Sequence, residues 1–299
     1  MKIAIQGFRG SFHEVAARQY CGAAPALSFC ATFGEVVAQV TDGRADAALM
    51  AMENSLAGSI LPNYLLLERN ALTITGEVYL PIHQHLLVLP GTTLADVRAV
   101  HSHPMALRQC GDFLSQYPAW QLVETEDTGL SAQHLAERRT PSVAVVAGAQ
   151  AAEAFGLEIL APAINDDPNN YTRFLVLERA AEATPVAQPD KASLYFYTSH
   201  APGMLAKVLT LVASHGLNLS KLQSCPRPSQ PWHYGFHADV EFNAPSQLDA
   251  LLAELPTVTE ELRVLGAYQR GSMEFGQEEA GTSQLAGHQA AGDTKSLSL

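Results

Sequence analysis

The order of apolar runs limits what this chain can fold into more than any other feature. From Lys2 to Arg179 short strand-like runs alternate with helix-like segments. That alternation predicts an α/β layer structure with a mostly parallel sheet, because strands joined through helices return in the same direction. "KIAIQG" reads as a strand, "FHEVAARQY" as an amphipathic helix, and "FGEVVAQVTDGRADAALMAME" as a helix, a Gly turn and a strand ending at Glu53. "LPNYLLLERN" reads as a helix, "LTITGEVYLPIHQHLLVLP" as strands, "HPMALRQCGDFLSQY" as a helix and "PSVAVVAGAQAAEAFGL" as a strand feeding a helix. Pro62, Pro90, Pro104 and Pro141 stand at element boundaries, where a missing N–H does little harm.

A strip rich in Ala, Pro and Glu, "ERAAEATPVAQPDK", has little to bury and reads as a linker, taken as residues 181–191. Beyond it the pattern changes to strand, helix, strand, strand, helix, strand: "ASLYFYTS", "APGMLAKVLTLVASHG", "LNLSKLQSCP", "WHYGFHADVEF", "PSQLDALLAEL" and "VTEELRVLGAYQR". This is the split βαβ order of ferredoxin-like folds. Residues 271–299 lack apolar periodicity and read as a disordered tail.

At 299 residues and 47% hydrophobic, the chain has room for two domains and a substantial core. Its net charge of −12, with only 18 Lys and Arg, argues against nucleic acid or an anionic membrane as the main partner, since phosphate recognition needs clustered cations. A small anionic substrate in a local basic pocket stays open. The opening "MKIAIQGFRGSF" has no signal-peptide core, and no later run reaches membrane-spanning length. Cys21, Cys30, Cys110 and Cys225 form no C-x-x-C, which suits buried thiols in a reducing cytoplasm.

Four polar clusters sit where strands give way to loops or helices, the places where α/β sheets collect ligands. "QGFRGSF" can offer backbone N–H groups and the Ser11 hydroxyl to an anion, or Ser11 can simply cap a helix. "MENSLAG" puts Glu53, Asn54 and Ser55 after an apolar strand; capping accounts for one of them and leaves Glu53 unexplained. In "VHSHPMALRQCGDFL" Ser102 can cap the helix beginning near Pro104, with Gln109 one and a half turns on. His83 with His85, and His101 with His103, have strand spacing, but no set of three or four converging ligands is legible and no metal is expected. In "NNYTRFLVL" strand alternation puts Thr172, Phe174 and Val176 on one face and Arg173, Leu175 and Leu177 on the other. The Thr hydroxyl and Phe ring would then share a pocket, and Arg173 would bend round the strand end or pair with an acidic residue.

Taken in order, "GFRGSF", "ENS" with Gly58, "GEVYLPIHQHLL", "SHPMALRQC" and "AINDDPNNYTRF" resemble the prephenate dehydratase family, and the region after the linker resembles an ACT regulatory domain. The resemblance implies a two-lobed catalytic domain, like that of periplasmic binding proteins, over residues 1–180 and a ferredoxin-like ACT domain over 192–270. One lobe would comprise residues to about 75 plus about 156–179, the other the residues between. The implied reaction is decarboxylative dehydration of prephenate to phenylpyruvate on the way to phenylalanine, without cofactor or metal. Thr172 would act beside the leaving hydroxyl, with Asn54, Ser102 and Gln109 completing the catalytic set. Ser11, Glu53, Ser55, Arg173 and Phe174 would bind substrate. Pro202, Gly203, Met204, Leu205, Gln223 and Ser224 would hold phenylalanine as feedback effector, and a homodimer or homotetramer in the cytoplasm is expected.

The chain departs from the family pattern at His13, where Ser or Thr is usual, at Asn63, where Asp is common, and at Gln223 and Cys225, which replace Glu and Arg of the effector motif. An arogenate dehydratase, or a non-catalytic amino-acid sensor, would share most of these features.

Overall fold

The computed structural model describes residues 1–22, 25–227 and 230–272. The expected tail therefore lies outside the described residues apart from Gly271 and Ser272. Three sheets organise the rest. The first runs Ala26–Cys30, Lys2–Gln6, Ala47–Asn54, Tyr171–Arg179, Leu72–Pro81, with the short Gly58–Ser59 added to Ala47–Asn54. The second runs Glu158–Ala161, His85–Val88, Val143–Ala147, Ala99–Ser102, Gln121–Glu124. The third runs Asn218–Pro226, Tyr234–Glu241, Lys191–Tyr197, Glu261–Tyr268.

The first two sheets are mixed, which corrects the expectation of mostly parallel pairing. Lys2–Gln6 is parallel to both its neighbours, but Tyr171–Arg179 is antiparallel to Ala47–Asn54 and to Leu72–Pro81. The cause is the route of the chain: it leaves the first sheet at Pro81, builds the second, and returns in the opposite sense as Tyr171–Arg179. The lobe boundaries shift accordingly. Leu72–Pro81 belongs wholly to the first sheet, and Glu158–Ala161 pairs with His85–Val88 at the edge of the second, so the crossings fall at 82–84 and 162–170. These two crossing segments are tied together: Ile82 N donates to Asn170 O (2.7 Å) and Ile164 N to Gln84 O (2.8 Å).

Burial follows the alternation that the sequence predicts for the returning strand. Phe174 and Val176 enter a core with Ile3, Ile5, Leu49 and Val78; Leu175 and Leu177 enter another with Val36, Met50, Leu67 and Tyr195. Each such fully buried side chain contributes roughly 1.5–3 kcal/mol. The second core is shared with the third sheet, through Tyr195, Tyr197, Cys225, Leu265 and Tyr268. On its other face the third sheet packs helices Met204–Ser214 and Pro245–Glu254 through Val208, Val212, Leu248 and Leu251. Its all-antiparallel order is that of a ferredoxin-like unit.

Local details differ from the sequence reading. "HPMALRQCGDFLSQY" forms two short helices, Pro104–Arg108 and Gly111–Ser115, because the Asp166 carboxylate accepts from the Gly111 and Asp112 N–H groups at 3.0 Å each and restarts the helix. The cap of the first is His103, whose Nδ1 accepts from Met105 N, rather than Ser102. Strands Ala26–Cys30 and Gln121–Glu124 and helix Thr128–Arg138 complete the two lobes. Both strands are half-exposed edges, so their apolar signal is weak.

Candidate functional site: the cleft between the lobes

The two sheets face each other across a cleft of about 440 Å³ lined, on the first lobe, by Ser11, His13, Asn54, Thr172 and Phe174, and on the second by His103, Gln109, Glu126 and Asp127. Gln84, on the crossing segment, also lines it. Its position at the carboxyl ends of parallel strands is where open α/β sheets bind ligands.

Two sequence motifs 116 residues apart build the first wall together. Ser55 N donates to Tyr171 O (2.8 Å), Tyr171 N donates to Ser55 Oγ (2.9 Å), and Ser55 Oγ donates to Asn169 O (3.0 Å). The register then sets Thr172 opposite Asn54. Asn54 Oδ1 accepts from Leu56 N and Ala57 N (3.1 and 2.9 Å), an Asx-type turn that fixes the amide. Its Nδ2 faces Asn170 Oδ1 (2.6 Å), Tyr171 O (3.1 Å) and Thr172 Oγ1 (3.1 Å). Thr172 thus accepts from Asn54, which leaves its own proton to donate into the cleft. From the second lobe Gln109 joins this set: Asn170 Nδ2 donates to Gln109 Oε1 at 3.1 Å.

Of the residues expected from sequence, Ser11, Asn54, Gln109, Thr172 and Phe174 line the cleft. Ser11 also caps helix Phe12–Cys21, its Oγ accepting from Glu14 N. Four others lie elsewhere. Ser102 is fully buried, its hydroxyl donating to Val146 O (2.6 Å) inside the second sheet. Ser55 is spent on the backbone clamp. Glu53 and Arg173 are opposite each other in register and lie on the far face of the sheet from Thr172 and Phe174. Glu53 pairs with Lys221. Arg173, only 5% exposed, pairs with Glu77 (2.7 Å) and Asp239 (2.5 Å) and donates to Tyr268 Oη (3.0 Å). Burial opposes its charge, but Asp239, Tyr268 and Glu77 outweigh it and hold the guanidinium far above its ordinary range. The expectation of Arg173 as a substrate carboxylate ligand is corrected on this point: the alternation carries it away from the cleft and acidic partners consume it.

The sequence reading missed Asn170, Gln84, His103 and Asp127. Asn170 is fully buried and links Asn54 to Gln109. Asp127 caps helix Thr128–Arg138, and burial pushes its carboxyl above the usual range. Burial holds the His13 imidazole down to about 4, so it is neutral, packed edge-on against Phe174 with ring centroids 5.0 Å apart. The Asp127 cap precedes an amphipathic "LSAQHLAER", a legible helix start; Gln84 carries no comparable signal.

A sequence model of prephenate dehydratase matches residues 3–182. The chain belongs to the prephenate dehydratase family. A bifunctional chorismate mutase/prephenate dehydratase of Enterobacter agglomerans is 35% identical over 278 residues, covering 89% of this chain and 70% of that one. Among solved structures, a prephenate dehydratase from Arthrobacter aurescens in complex with L-Phe aligns with a TM-score of 0.81 at 31% identity, over 90% of each chain. A structure described as GqqA, a novel type of quorum quenching acylase, aligns equally well at 0.81 and 35% identity, over 90% of this chain and 98% of that one. The fold these share is a two-lobed α/β structure, and the chain is a prephenate dehydratase enzyme of aromatic amino acid biosynthesis.

In the third unit a second cavity of about 570 Å³ is lined by Pro202, Gly203, Met204 and Leu205 with Tyr234 and Phe236. Gly203 enters helix Met204–Ser214 at φ 81°, a conformation that favours glycine. Gln223 and Ser224, expected with this group, are not among its lining residues; Gln223 Nε2 instead donates to Ser224 O (2.8 Å). Among the described residues no cluster of His, Cys, Asp and Glu has metal-binding geometry, and no helix is long and apolar enough to cross a membrane.

Proposed function

We propose that the cleft carries out the decarboxylative dehydration with Thr172 as donor to the departing hydroxyl. The observation that carries the assignment is the Asn54–Thr172 hydrogen bond at the cleft wall beside Phe174. In prephenate the bond from ring to carboxylate breaks, its electron pair passes through the ring, and the bond to the ring hydroxyl breaks as aromaticity is restored. The products are phenylpyruvate, carbon dioxide and hydroxide, which solvent protonates. No base is needed, since the carboxylate supplies the electrons. What accelerates the step is a hydrogen bond that strengthens as charge builds on the leaving oxygen, together with walls that hold the ring. Phe174 and His13 form such a wall.

No Lys or Arg is among the described residues that line the cleft. The substrate carboxylates are therefore assigned to the N-terminal end of helix Phe12–Cys21, which opens onto it, with Ser11 among the contacts. Gln109 and Asn170 keep the Asn54 amide oriented. Ser102, Ser55 and Glu53 are assigned supporting roles in the walls.

We assign residues 1–180 to catalysis, 181–191 to the linker and 192–270 to an ACT domain that binds phenylalanine between Pro202 and Leu205, with a homodimer or homotetramer as the working assembly. The four unpaired cysteines suit the cytoplasm. Acylase chemistry would call for an activated nucleophile, and Thr172 has an amide rather than a general base against its hydroxyl. The test is formation of phenylpyruvate from prephenate by the purified protein without added metal, run beside arogenate and with increasing phenylalanine. Turnover of arogenate alone would reassign the substrate; turnover of neither would sink the reaction; an unchanged rate at saturating phenylalanine would remove the feedback role.

A further inference from the structure

The two residues at the heart of the cleft wall each have a neighbour that is ion-paired to the third sheet. Asn54 follows Glu53, and Thr172 precedes Arg173; in register Thr172 lies opposite Asn54 and Arg173 opposite Glu53. Alternation sends one member of each pair into the cleft and the other to the far face. There Glu53 meets Lys221 of strand Asn218–Pro226, whose Nζ also donates to Ser59 Oγ (2.7 Å). Arg173 meets Asp239 of strand Tyr234–Glu241 and Tyr268 of strand Glu261–Tyr268.

The buried part of the Arg173 cluster is neutral, and Lys191 at its edge also reaches the partly exposed Glu241 at 3.8 Å. Two cations, Arg173 and Lys191, face two carboxylates, Glu77 and Asp239, and all four are buried. Asp239 Oδ1 accepts from Ser193 Oγ (2.5 Å), and Ser193 and Tyr268 share a hydrogen bond of 2.7 Å. Such a cluster adds little stability over apolar packing of the same volume, because desolvation offsets the attraction. What it does supply is fixed geometry, with bonds that cannot slide without stranding a buried charge. The pairing of Tyr171–Arg179 with Ala47–Asn54 shifts register between Arg173 and Phe174, so the strand is irregular next to the residue that carries the reactive hydroxyl. The ion pairs grip the chain at that irregularity.

We propose that Asp239 and Lys221, on the third sheet, are positioning residues for the cleft, acting through Arg173 and Glu53 to set the Thr172–Asn54 hydrogen bond. The proposal rests on Thr172 being the donor to the leaving group. It makes the third unit part of the catalytic machinery and gives it a direct mechanical route to Thr172: a displacement of its sheet against the first lobe moves the back of both cleft strands together.

Lys221 is the cleaner probe, since it is partly exposed and its removal strands no deeply buried charge. Lys221→Met is expected to lower kcat about tenfold with KM changed less than about twofold, because misplacement of a reacting group is read in turnover rather than in substrate affinity. Lys221→Arg is expected to restore most of the loss. Asp239→Asn is expected to cost on the order of 10²-fold in kcat. Wild-type kcat in Lys221→Met, a rise in KM alone, a loss that Lys221→Arg does not restore, or wild-type kcat in a folded Asp239→Asn protein would each overturn the proposal. If Asp239→Asn does not fold, the Lys221 pair decides. A wild-type protein that forms no phenylpyruvate would instead remove the reaction assignment, which the control assay reads separately.

Discussion

Thr172 is useful to the reaction because of what Asn54 does to it. A lone hydroxyl rotates and donates to whichever acceptor is nearest; here the Asn54 amide occupies an acceptor site on Oγ1 at 3.1 Å and directs the proton elsewhere. Thr172→Ala is expected to lower kcat by about 10²–10⁴-fold, the usual worth of a positioned proton donor, with circular dichroism and melting temperature near wild type. Thr172→Ser, which keeps the hydroxyl and loses a methyl group, is expected to retain activity within about tenfold. Full activity in Thr172→Ala would remove the residue from the mechanism. Arg173, its sequence neighbour, illustrates how little a motif says about direction. "TRF" places three functional-looking side chains in a row, and pleating sends the middle one to the opposite side of the sheet.

At the level of elements, the decisive contact is between strand Glu261–Tyr268 and strand Leu72–Pro81. Thr73 Oγ1 donates to Leu265 O (3.0 Å), and a Cβ on Gly266 would stand 2.1 Å from Ile74 O. Main chain lies against main chain there, so nothing flexible can yield. Gly266→Ala is expected to destabilise the protein by about 3 kcal/mol through forced separation of the first and third sheets. Denaturant titration measures this, and a loss below about 0.5 kcal/mol would show that the sheets part easily. The burial of the returning strand Tyr171–Arg179 is legible in the sequence, because an unbroken apolar run flanked by polar residues has one plausible burial. The edge strands Ala26–Cys30 and Gln121–Glu124 were poorly legible since half of each faces solvent.

At the level of the whole molecule, acid is expected to weaken the fold before carboxylates titrate. Burial holds both His13 and His237 down to about 4, against about 6.5 in an unfolded chain. Between these values the unfolded chain binds protons that the folded one refuses, so stability is full above about pH 6.5 and falls as pH drops toward 4. Asp127, raised by burial, acts in the opposite direction, while His85, His101 and His103, also lowered by burial, act with His13 and His237. The midpoint of urea denaturation is expected to drop between pH 7 and pH 4.5, and His237→Phe to flatten that slope; a flat profile in the wild type would refute the buried neutral state. The sequence by itself determined the strand–helix–strand–strand–helix–strand unit after the linker and the faces of "NNYTRFLVL", because periodicity and turn chemistry are local properties of the chain. Only the tertiary structure decided that "ENS" and "NNY" clamp each other, that Asn170 bridges to Gln109, that Ser102 is buried away from the cleft and that Arg173 serves the third sheet. Those outcomes depend on which distant strand lies alongside, and pairing across more than a hundred residues leaves no trace in the spacing of side chains along one strand.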